Sequence, residues 1–414
     1  MAAGGRELLQ RCLAAALAAV DGRRVVAEAL ASADVPTGCP VLAVGKAAPA
    51  MLAGAADALG GRVGEALCIT QADAARPGEP GLAHARLLLG DHPVPGARSL
   101  AAGQALLAFL DALPAHMPLL CLWSGGSSAL VEALPQGVHA ADLARMNRWL
   151  LASGLPIDAV NRVRARLSCL KAGRLARRLA GRRVIVLAIS DVPGDDPAVI
   201  GSGPWTAPAK CPADGPGEEL PGWLEALLSR AAPVPMPEPG TAASAAVDYR
   251  IIANGARAMA AAAAVARAAG VVTVLHEAPL QGPVESAAQC ILAALANPGP
   301  GMHAWSGETT VRLPEAPGEG GRNSHLALTL SIALAGRADA LVLCAATDGR
   351  DGAGGAAGGW ADGRVVERGA ALGLDARAAL ARADSGSYLA ATGDALATGS
   401  TGTNVMDLVL ALRS

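Results

Sequence analysis

Glycine-rich polar segments follow several short apolar runs in this 414-residue sequence, and their residue types suit phosphate binding. Ser124-Gly125-Gly126-Ser127-Ser128 follows the run that ends at Trp123 and precedes a predicted helix. The backbone N–H groups of such a loop, together with the positive end of the helix dipole, bind anions. A glycine turn that only reverses the chain direction is the alternative interpretation.

Carboxylates follow other apolar runs. Asp191 and Asp195 come after Ile189, and Asp348 and Asp351 come after the run through Ala345. Carboxylate oxygens are the ligands that Mg²⁺ takes beside phosphate groups. Ligands of open α/β sheets bind at the carboxyl ends of the strands, so these aspartates favour a metal site there.

Two cations occupy comparable positions. Of 34 basic residues only three are lysine, and one of them, Lys46, directly follows a predicted buried strand. Arg322 follows a glycine pair and opens a predicted helix. Together they suit an anionic substrate or a transferring phosphoryl group, to which arginine can donate two parallel hydrogen bonds.

Several other site classes are disfavoured. A Walker-type nucleotide loop is excluded because no lysine stands in a Gly-Lys-Ser/Thr triplet. The glycine run 352–357 follows an acidic loop rather than a strand, which disfavours a dinucleotide fingerprint, and no His/Cys cluster has zinc spacing. A serine hydrolase centred on Ser127 stays a weaker alternative, since Ala129 replaces the last glycine of the nucleophile elbow.

Apolar runs alternate with helical patterns along most of the chain, which predicts strands of parallel sheets covered by helices on both faces. One long helix is predicted over residues 158–180. Prolines cluster between residues 207 and 245, where at most one short helix, near 223–229, is expected.

The fold class is therefore α/β, with two domains and mainly parallel sheets around an interdomain cleft. We expect an N-terminal Rossmann-like domain over residues 1–206, a proline-rich connection over 207–245 and a second α/β domain over 246–414. The last segment, 404–414, is expected either there or packed on the N-terminal domain.

The amino-acid composition limits the classes of molecule that the protein is expected to bind. A formal net charge of −2 and only six tryptophans, two tyrosines and one phenylalanine argue against nucleic acid as a partner. The best candidate for a membrane span, the charge-free stretch 112–131, contains two prolines, so it does not predict one. Eight cysteines without a CxxC pair favour free thiols in the cytoplasm. The expected partner is a small-molecule substrate, and a homodimer is compatible with the sequence.

Ten segments, taken together and in order, resemble the glycerate 2-kinase family, also called the MOFRL family and formerly labelled hydroxypyruvate reductase of tartrate utilisation. The likeness runs from about residue 6 to 412 and is carried by Val44-Gly-Lys-Ala47, Asp91-His-Pro-Val-Pro-Gly96, Ser124-Gly-Gly-Ser-Ser-Ala129, Asn161-Arg-Val-Arg164, Ser190-Asp-Val-Pro-Gly-Asp-Asp196, Gly201-Ser-Gly-Pro204, Gly307-Glu-Thr-Thr310, Gly320-Gly-Arg-Asn323, Thr347-Asp-Gly349 and Thr401-Gly-Thr-Asn404.

The resemblance implies ATP-dependent phosphorylation of the 2-hydroxyl of D-glycerate, or of a close hydroxy acid, with Mg²⁺. Lys46 and Arg322 would bind the substrate carboxylate or the transferring phosphoryl group, and Asp191 would accept the hydroxyl proton. Residues 124–128, with Asn254, would bind the nucleotide, while Asp348 and Glu308 would hold magnesium.

Four departures from the family pattern bear on this interpretation. Ser127 stands where a third glycine is typical, Ser324-His325 replace glutamine and glutamate, Gly355 replaces aspartate, and Met406 replaces asparagine. The alternatives are an NAD(P)-dependent hydroxypyruvate reductase and a diverged, non-catalytic metabolite-binding protein.

Overall fold

The computed structural model describes residues 2–60, 63–72, 74, 82–114, 116–155, 157–207, 220–235, 246–296, 299–352 and 354–413. The described part of the chain divides into two compact units. One spans Gly22–Ile252, and the other joins the residues up to Asp21 with those from Ala253 onward.

The strands in chain order are β1 (Cys39–Val44), β2 (Val63–Thr70), β3 (Ala85–Leu89), β4 (Leu119–Trp123), β5 (Arg183–Ile189), β6 (Ala246–Ala253), β7 (Thr273–Leu275), β8 (Leu280–Pro283), β9 (Gly301–Thr310), β10 (Ala340–Ala346), β11 (Gly358–Asp362), β12 (Ala395–Leu396) and β13 (Asp407–Arg413).

The helices are α1 (Ala2–Ala19), α2 (Gly22–Leu30), α3 (Ala48–Leu59), α4 (Ala97–Ala112), α5 (Ser127–Leu130), α6 (Ala140–Ala152), α7 (Ile157–Arg166), α8 (Arg174–Arg178), α9 (Gly222–Arg230), α10 (Gly255–Ala268), α11 (Val284–Ala296), α12 (Arg322–Ala333), α13 (Val365–Ala371), α14 (Ala376–Ala381) and α15 (Ser385–Ala391). Among the helices of the described ranges, none is both long and apolar enough to cross a bilayer.

The first sheet confirms the predicted α/β architecture. Its order is β3-β2-β1-β4-β5-β6, and the pairs β2–β3, β1–β2, β1–β4 and β4–β5 are parallel. Every residue of β1 and β4 is buried, because apolar side chains fill both faces of these central strands. The carboxyl ends of β1, β4 and β5 therefore lie side by side at one edge.

The second sheet differs from the expected parallel arrangement. Its order is β12-β11-β10-β13-β9-β7, and all pairs among the first five strands are antiparallel, while β7 and β8 pair with β9 in parallel. Continuous apolar runs indicate burial on both faces, and this burial comes from helices such as α10 and α12 that pack on the sheet. Burial does not fix strand direction, so the prediction for this sheet was wrong.

The final strand lies inside the second sheet. β13 pairs with β10 on one side and β9 on the other, with Asp407 opposite Ala346 and Gly307. Of the two placements expected for residues 404–414, the described part of the segment takes the one in the second domain and not the one on the N-terminal domain.

The unit boundaries differ from the predicted domains at two points. Helix α1 belongs with the second unit, because it packs on α10 and buries Leu9, Cys12 and Ala16. Strand β6 continues the first sheet beside β5 instead of opening the second domain. Within the proline-rich connection, α9 is the expected short helix, whereas residues 208–219 and 236–245 lie outside the described residues.

The long helix predicted over 158–180 is interrupted. α7 ends at Arg166, and α8 begins only at Arg174, after Ala172 and Gly173 adopt left-handed backbone conformations with φ of 56° and 77°. Helical periodicity continues across the gap in sequence, but the tertiary contacts of the intervening turn override it. The turn brings Lys171 inward, where it is 3% exposed.

The close packing of α2 on α3 sets the position of the helix that follows Lys46. A Cβ atom built on Gly54 of α3 would lie 2.1 Å from the carbonyl oxygen of Arg23 in α2. The obstacle is backbone and cannot rotate away. A methyl group at this position must push the two helices apart.

We expect Gly54→Ala to lower the free energy of unfolding by about 1–3 kcal/mol, the usual cost of an overpacked contact. The matched control is Gly4→Ala in α1, where a Cβ meets nothing within 4 Å. It should stabilise by about 0.5–1 kcal/mol through helix propensity. Urea unfolding of both variants measures the difference, and equal midpoints would contradict it.

Candidate active site

Lys46 and the serine-glycine loop meet because β1 and β4 are paired neighbours. Val44 lies opposite Trp123, so both chains leave the sheet at the same level. The N–H of Lys46 donates to the carbonyl of Gly125 at 2.9 Å, and the N–H of Ala47 donates to Ser124 Oγ at 3.1 Å. The structure thus brings together two predicted site elements.

Glycine is required where these loops touch. Gly45 has a φ of 132°, and a Cβ there would lie 2.1 Å from Ser124 Oγ. Gly126 has a φ of 81°, and its Cβ would lie 3.2 Å from Cγ of Lys46 and 3.3 Å from Cδ2 of His92. Lys46 and His92 therefore flank the backbone of Gly126.

The helix after the loop is short. α5 covers only Ser127–Leu130, with Gly126 as its N-cap. A helix of one turn contributes little macrodipole, so anion binding here depends on the local N–H groups rather than on the dipole of a long helix.

The segment 201–204 closes the loop from the other side. Ser128 Oγ and Ser202 Oγ share a hydrogen bond of 2.8 Å, and a Cβ on Gly201 would lie 2.4 Å from Ser127 Oγ. Ser127 is fully buried, and its hydroxyl has no hydrogen-bond partner among the described residues. Gly201-Ser-Gly-Pro204 is one of the ten segments that carry the family resemblance, but its sequence alone indicates no role.

Asp191 lies at the same sheet edge. β4 and β5 pair with Trp123 opposite Ala188, and half-buried Asp191 follows the end of β5 by two residues. The charge of Asp191 acts on Tyr249 of β6. Burial raises the pKa of the Tyr249 phenol, and the charge of Asp191 raises it further.

In the second unit, Arg322 is held by two carboxylates. Its guanidinium donates two hydrogen bonds to Asp407, from Nε at 2.5 Å and from Nη2 at 3.1 Å. Nη1 lies 2.7 Å from Glu308. Burial favours the neutral form of Arg322, but the charges of Asp407 and Glu308 outweigh it and raise its pKa. Arg322 is therefore a fixed cation at neutral pH.

Asp407 is a site residue that the sequence did not reveal. It stands at the start of an apolar run, whereas ligand-binding residues of a parallel sheet are expected after such runs. Because β13 is antiparallel to β9 and β10, its start lies at the edge where those strands end. Burial raises the pKa of Asp407 to about 6 against the opposing charge of Arg322.

The start of α12 is fixed by a second aspartate. Asp351 accepts hydrogen bonds from the N–H groups of Asn323 and Ser324 at 2.9 and 2.7 Å, and from Ser324 Oγ at 2.6 Å. These groups would otherwise be unsatisfied at a helix N-terminus. Ser324, one of the departures from the family pattern, thus helps to anchor the helix that begins with Arg322.

Asp348 and Glu308 are the predicted magnesium ligands. Asp348 is half-buried two residues beyond β10, and its Oδ1 accepts the N–H of Arg350 at 3.0 Å. No group of three or more potential metal ligands occurs among the described residues. The donors fit Mg²⁺, which typically takes one or two carboxylates and completes its octahedron with water and phosphate.

Asn254 has a structural role. It is the N-cap of α10, and its Oδ1 accepts the N–H of Arg257 at 2.9 Å. The contact with a nucleotide that the family resemblance implies for Asn254 stays a prediction.

Comparisons with known sequences cover nearly the whole chain. The family described as a domain of unknown function (DUF4147) matches residues 8–215, and the MOFRL family matches residues 301–407. A protein from Agrobacterium vitis, provisionally named a hydroxypyruvate reductase, is 36% identical over 89% of this chain and 98% of its own length. A D-glycerate 2-kinase from Thermotoga maritima is 31% identical over 90% of each chain.

A solved structure supports the same relationship. The crystal structure of a glycerate kinase from Thermotoga maritima superposes with a TM-score of 0.83 at 29% sequence identity. The likeness covers 99% of this chain and all of the other.

The burial of Asp407 predicts a pH-dependent contribution to stability. Because its folded-state pKa is raised above that of an unfolded chain, the contribution is fully present near pH 4 and is lost as the pH rises through about 6. Relative to Asp407→Asn, the free energy of unfolding of the wild type should fall by up to about 3 kcal/mol over that range, at about 1.4 kcal/mol per pKa unit. Urea unfolding at several pH values measures this.

Asp339→Asn is the control of opposite sign. The hydrogen bond from Arg337 lowers the pKa of exposed Asp339, so its small contribution is lost as the pH falls. A pH-independent difference between wild type and Asp407→Asn would contradict the expected burial effect.

Proposed function

This chain belongs to the glycerate kinase family that carries a MOFRL domain, and from that premise we propose that it transfers the γ-phosphoryl group of ATP to the 2-hydroxyl of D-glycerate. The observation that carries the proposal is the likeness to a D-glycerate 2-kinase over nine-tenths of both chains. The meeting of Lys46 with the Ser124–Ser128 loop is independent support, since it joins a cation to an N–H-rich turn.

The Ser124–Ser128 loop, Lys46 and Arg322 are the groups that we assign to binding negative charge. N–H groups of the Ser124–Ser128 loop would bind the nucleotide phosphates, and Lys46, beside Gly126, would contact the transferring phosphoryl group. Arg322, held as a cation by Asp407 and Glu308 in the second unit, would bind an anionic group of the substrate or of the nucleotide. Phosphoryl transfer depends mainly on such positioning and charge neutralisation.

Asp348 would hold Mg²⁺, with Glu308 as a further ligand when its contact with Arg322 opens. When bound, the ion neutralises charge on the phosphate oxygens. Asp191 would accept the proton of the 2-hydroxyl, because it stands at the same edge of the first sheet as Lys46 and the loop.

The reductase alternative has one observation in its favour, the name of the Agrobacterium vitis relative. Against it, the glycine run 352–357 leads into strand β11, whereas a dinucleotide fingerprint opens a helix whose N-terminus meets the pyrophosphate. The kinase is therefore the better-supported function.

Lys46→Ala should reduce kcat/KM for D-glycerate with Mg-ATP by at least about a hundredfold, the usual cost of removing one charge-stabilising group. ADP release measures the rate, and the unfolding midpoint should stay unchanged. Arg178→Ala, an exposed cation paired with Asp111 in the same unit, is the control and should keep full activity. Near-normal activity of Lys46→Ala would sink the assignment.

A parallel assay with hydroxypyruvate and NADH separates the two enzyme classes. Wild-type ADP release without NADH consumption is expected. NADH consumption without ADP release would replace the kinase by the reductase, and silence in both assays would favour the binding protein.

Asp348→Asn should raise the Mg²⁺ concentration needed for half-maximal activity by about ten- to a hundredfold, because a neutral amide is a weaker ligand than a carboxylate. EDTA should abolish wild-type turnover, and added Mg²⁺ should restore it. Titration of the initial rate with Mg²⁺ tests both, and an unchanged requirement in the variant would remove Asp348 from the metal site. Asp339→Asn, on the exposed surface, is the control.

A further inference from the structure

A small polar cavity adjoins the serine-glycine loop and has no role in the assignments above. It measures about 180 Å³, and its lining includes His92, Gly126, Glu132, Asn147, Arg164 and Lys171. Pockets that bind drug-sized ligands have volumes of about 300–1,000 Å³, so this cavity is smaller than those pockets. It suits a three-carbon acid, and it is too small for a nucleoside triphosphate.

A buried ion pair forms one wall of the cavity. Glu132 and Lys171 are 2% and 3% exposed, and Lys171 Nζ donates to Glu132 Oε2. Glu132 Oε1 accepts Ser168 Oγ at 2.6 Å and the N–H of Ala133 at 3.0 Å. These hydrogen bonds hold the pair rigid. Removing both charges from water costs free energy, so a buried ion pair is weak evidence for a stabilising role. The pair therefore points to a role beyond stability.

Arg164 also lines the cavity, and most of its hydrogen-bond donors have no partner among the described residues. Its Nε donates to Asn147 Oδ1 at 3.1 Å, and Asn147 is itself fixed by a bond from Nδ2 to the carbonyl of Leu143 at 3.0 Å. A guanidinium carries five N–H donors. Among the described residues, Asn147 is the one hydrogen-bond acceptor that Arg164 contacts.

The charges around the cavity favour an anion with one negative charge. Among the arginine, lysine and carboxylate side chains of the lining, Arg164 and Lys171 supply two positive charges and Glu132 one negative charge, which leaves an excess of one. Burial lowers the pKa of Arg164, and the charge of Glu132 opposes that shift. A carboxylate bound to the terminal nitrogens would satisfy both the donors and the charge, in the two-bond geometry that guanidinium and carboxylate prefer.

We propose that this cavity is the acceptor subsite, in which Arg164 binds the carboxylate of the hydroxy acid and Lys171, held by Glu132, is a positioning residue that supplies the second positive charge. The inference rests on the proposed kinase function. Gly126 borders both the cavity and Lys46, so an acid anchored at Arg164 would present its 2-hydroxyl toward the phosphate loop. The subsite selects 2-hydroxy acids over neutral polyols.

The test is Arg164→Gln, assayed with D-glycerate and with glycerol as an acceptor that lacks the carboxylate. The KM for D-glycerate should rise about ten- to a hundredfold, as expected for loss of a bidentate contact to a carboxylate, with the KM for ATP unchanged. The preference for D-glycerate over glycerol should fall by the same factor. An unchanged KM, or an equal change for both acceptors, would overturn the proposal.

Two further variants control the result. Arg148→Gln removes an exposed arginine of α6 whose Nε donates to the carbonyl of Ala144, and it should behave as wild type. Arg164→Lys keeps the charge without the fork, so it should show the same loss of preference to a smaller extent. It also provides the readout if Arg164→Gln does not fold, which thermal unfolding will show.

Calorimetric titration with D-glycerate, without nucleotide, separates this proposal from the proposed function. Wild type should bind and Arg164→Gln should not. If the wild type phosphorylates D-glycerate but Arg164→Gln binds D-glycerate as tightly as the wild type, the proposed kinase function stands and the proposed subsite is refuted. If the wild type has no kinase activity but its binding of D-glycerate still requires Arg164, the proposed kinase function is refuted and the proposed subsite stands.

Discussion

The pairing of β1 with β4 is the constraint on which the candidate site depends. Both strands are buried on both faces, and both end at one level, so the backbone of Gly45 passes against Ser124 with no room for a side chain. This contact fixes Lys46 relative to the serine-glycine loop through two hydrogen bonds to that loop. The central strands of the sheet, rather than the loops themselves, hold the cation in place.

Acidic residues hold the basic ones elsewhere in the molecule. Asp407 fixes the guanidinium of Arg322, and Asp351 fixes the start of the helix that carries it. Glu132 does the same for Lys171 in the other unit. Aspartates and glutamates are usually interpreted as metal ligands or bases in a kinase. Here several of them are orienting groups, which hold basic side chains in fixed positions.

The rule that ligands bind at the carboxyl ends of parallel strands predicts where some candidate residues lie, but it does not apply to antiparallel strands. Lys46, the loop and Asp191 follow buried strands and meet at one edge, as expected. Asp407 precedes its strand, so only the antiparallel pairing of β13 reveals it. Lys171 was noticeable as a rare lysine, but helical periodicity placed it inside a continuous helix. The left-handed residues 172 and 173 break that helix, and local pattern does not encode such tertiary contacts.

Helix α1 has a consequence for how the protein is made. Its apolar face, with Leu9, Cys12 and Ala16, is covered by α10, yet the whole segment Gly22–Ile252 is translated between the two helices. At about 5–20 residues per second, that interval lasts roughly 10–50 s. The apolar face of α1 therefore has no covering helix until α10 has been synthesised.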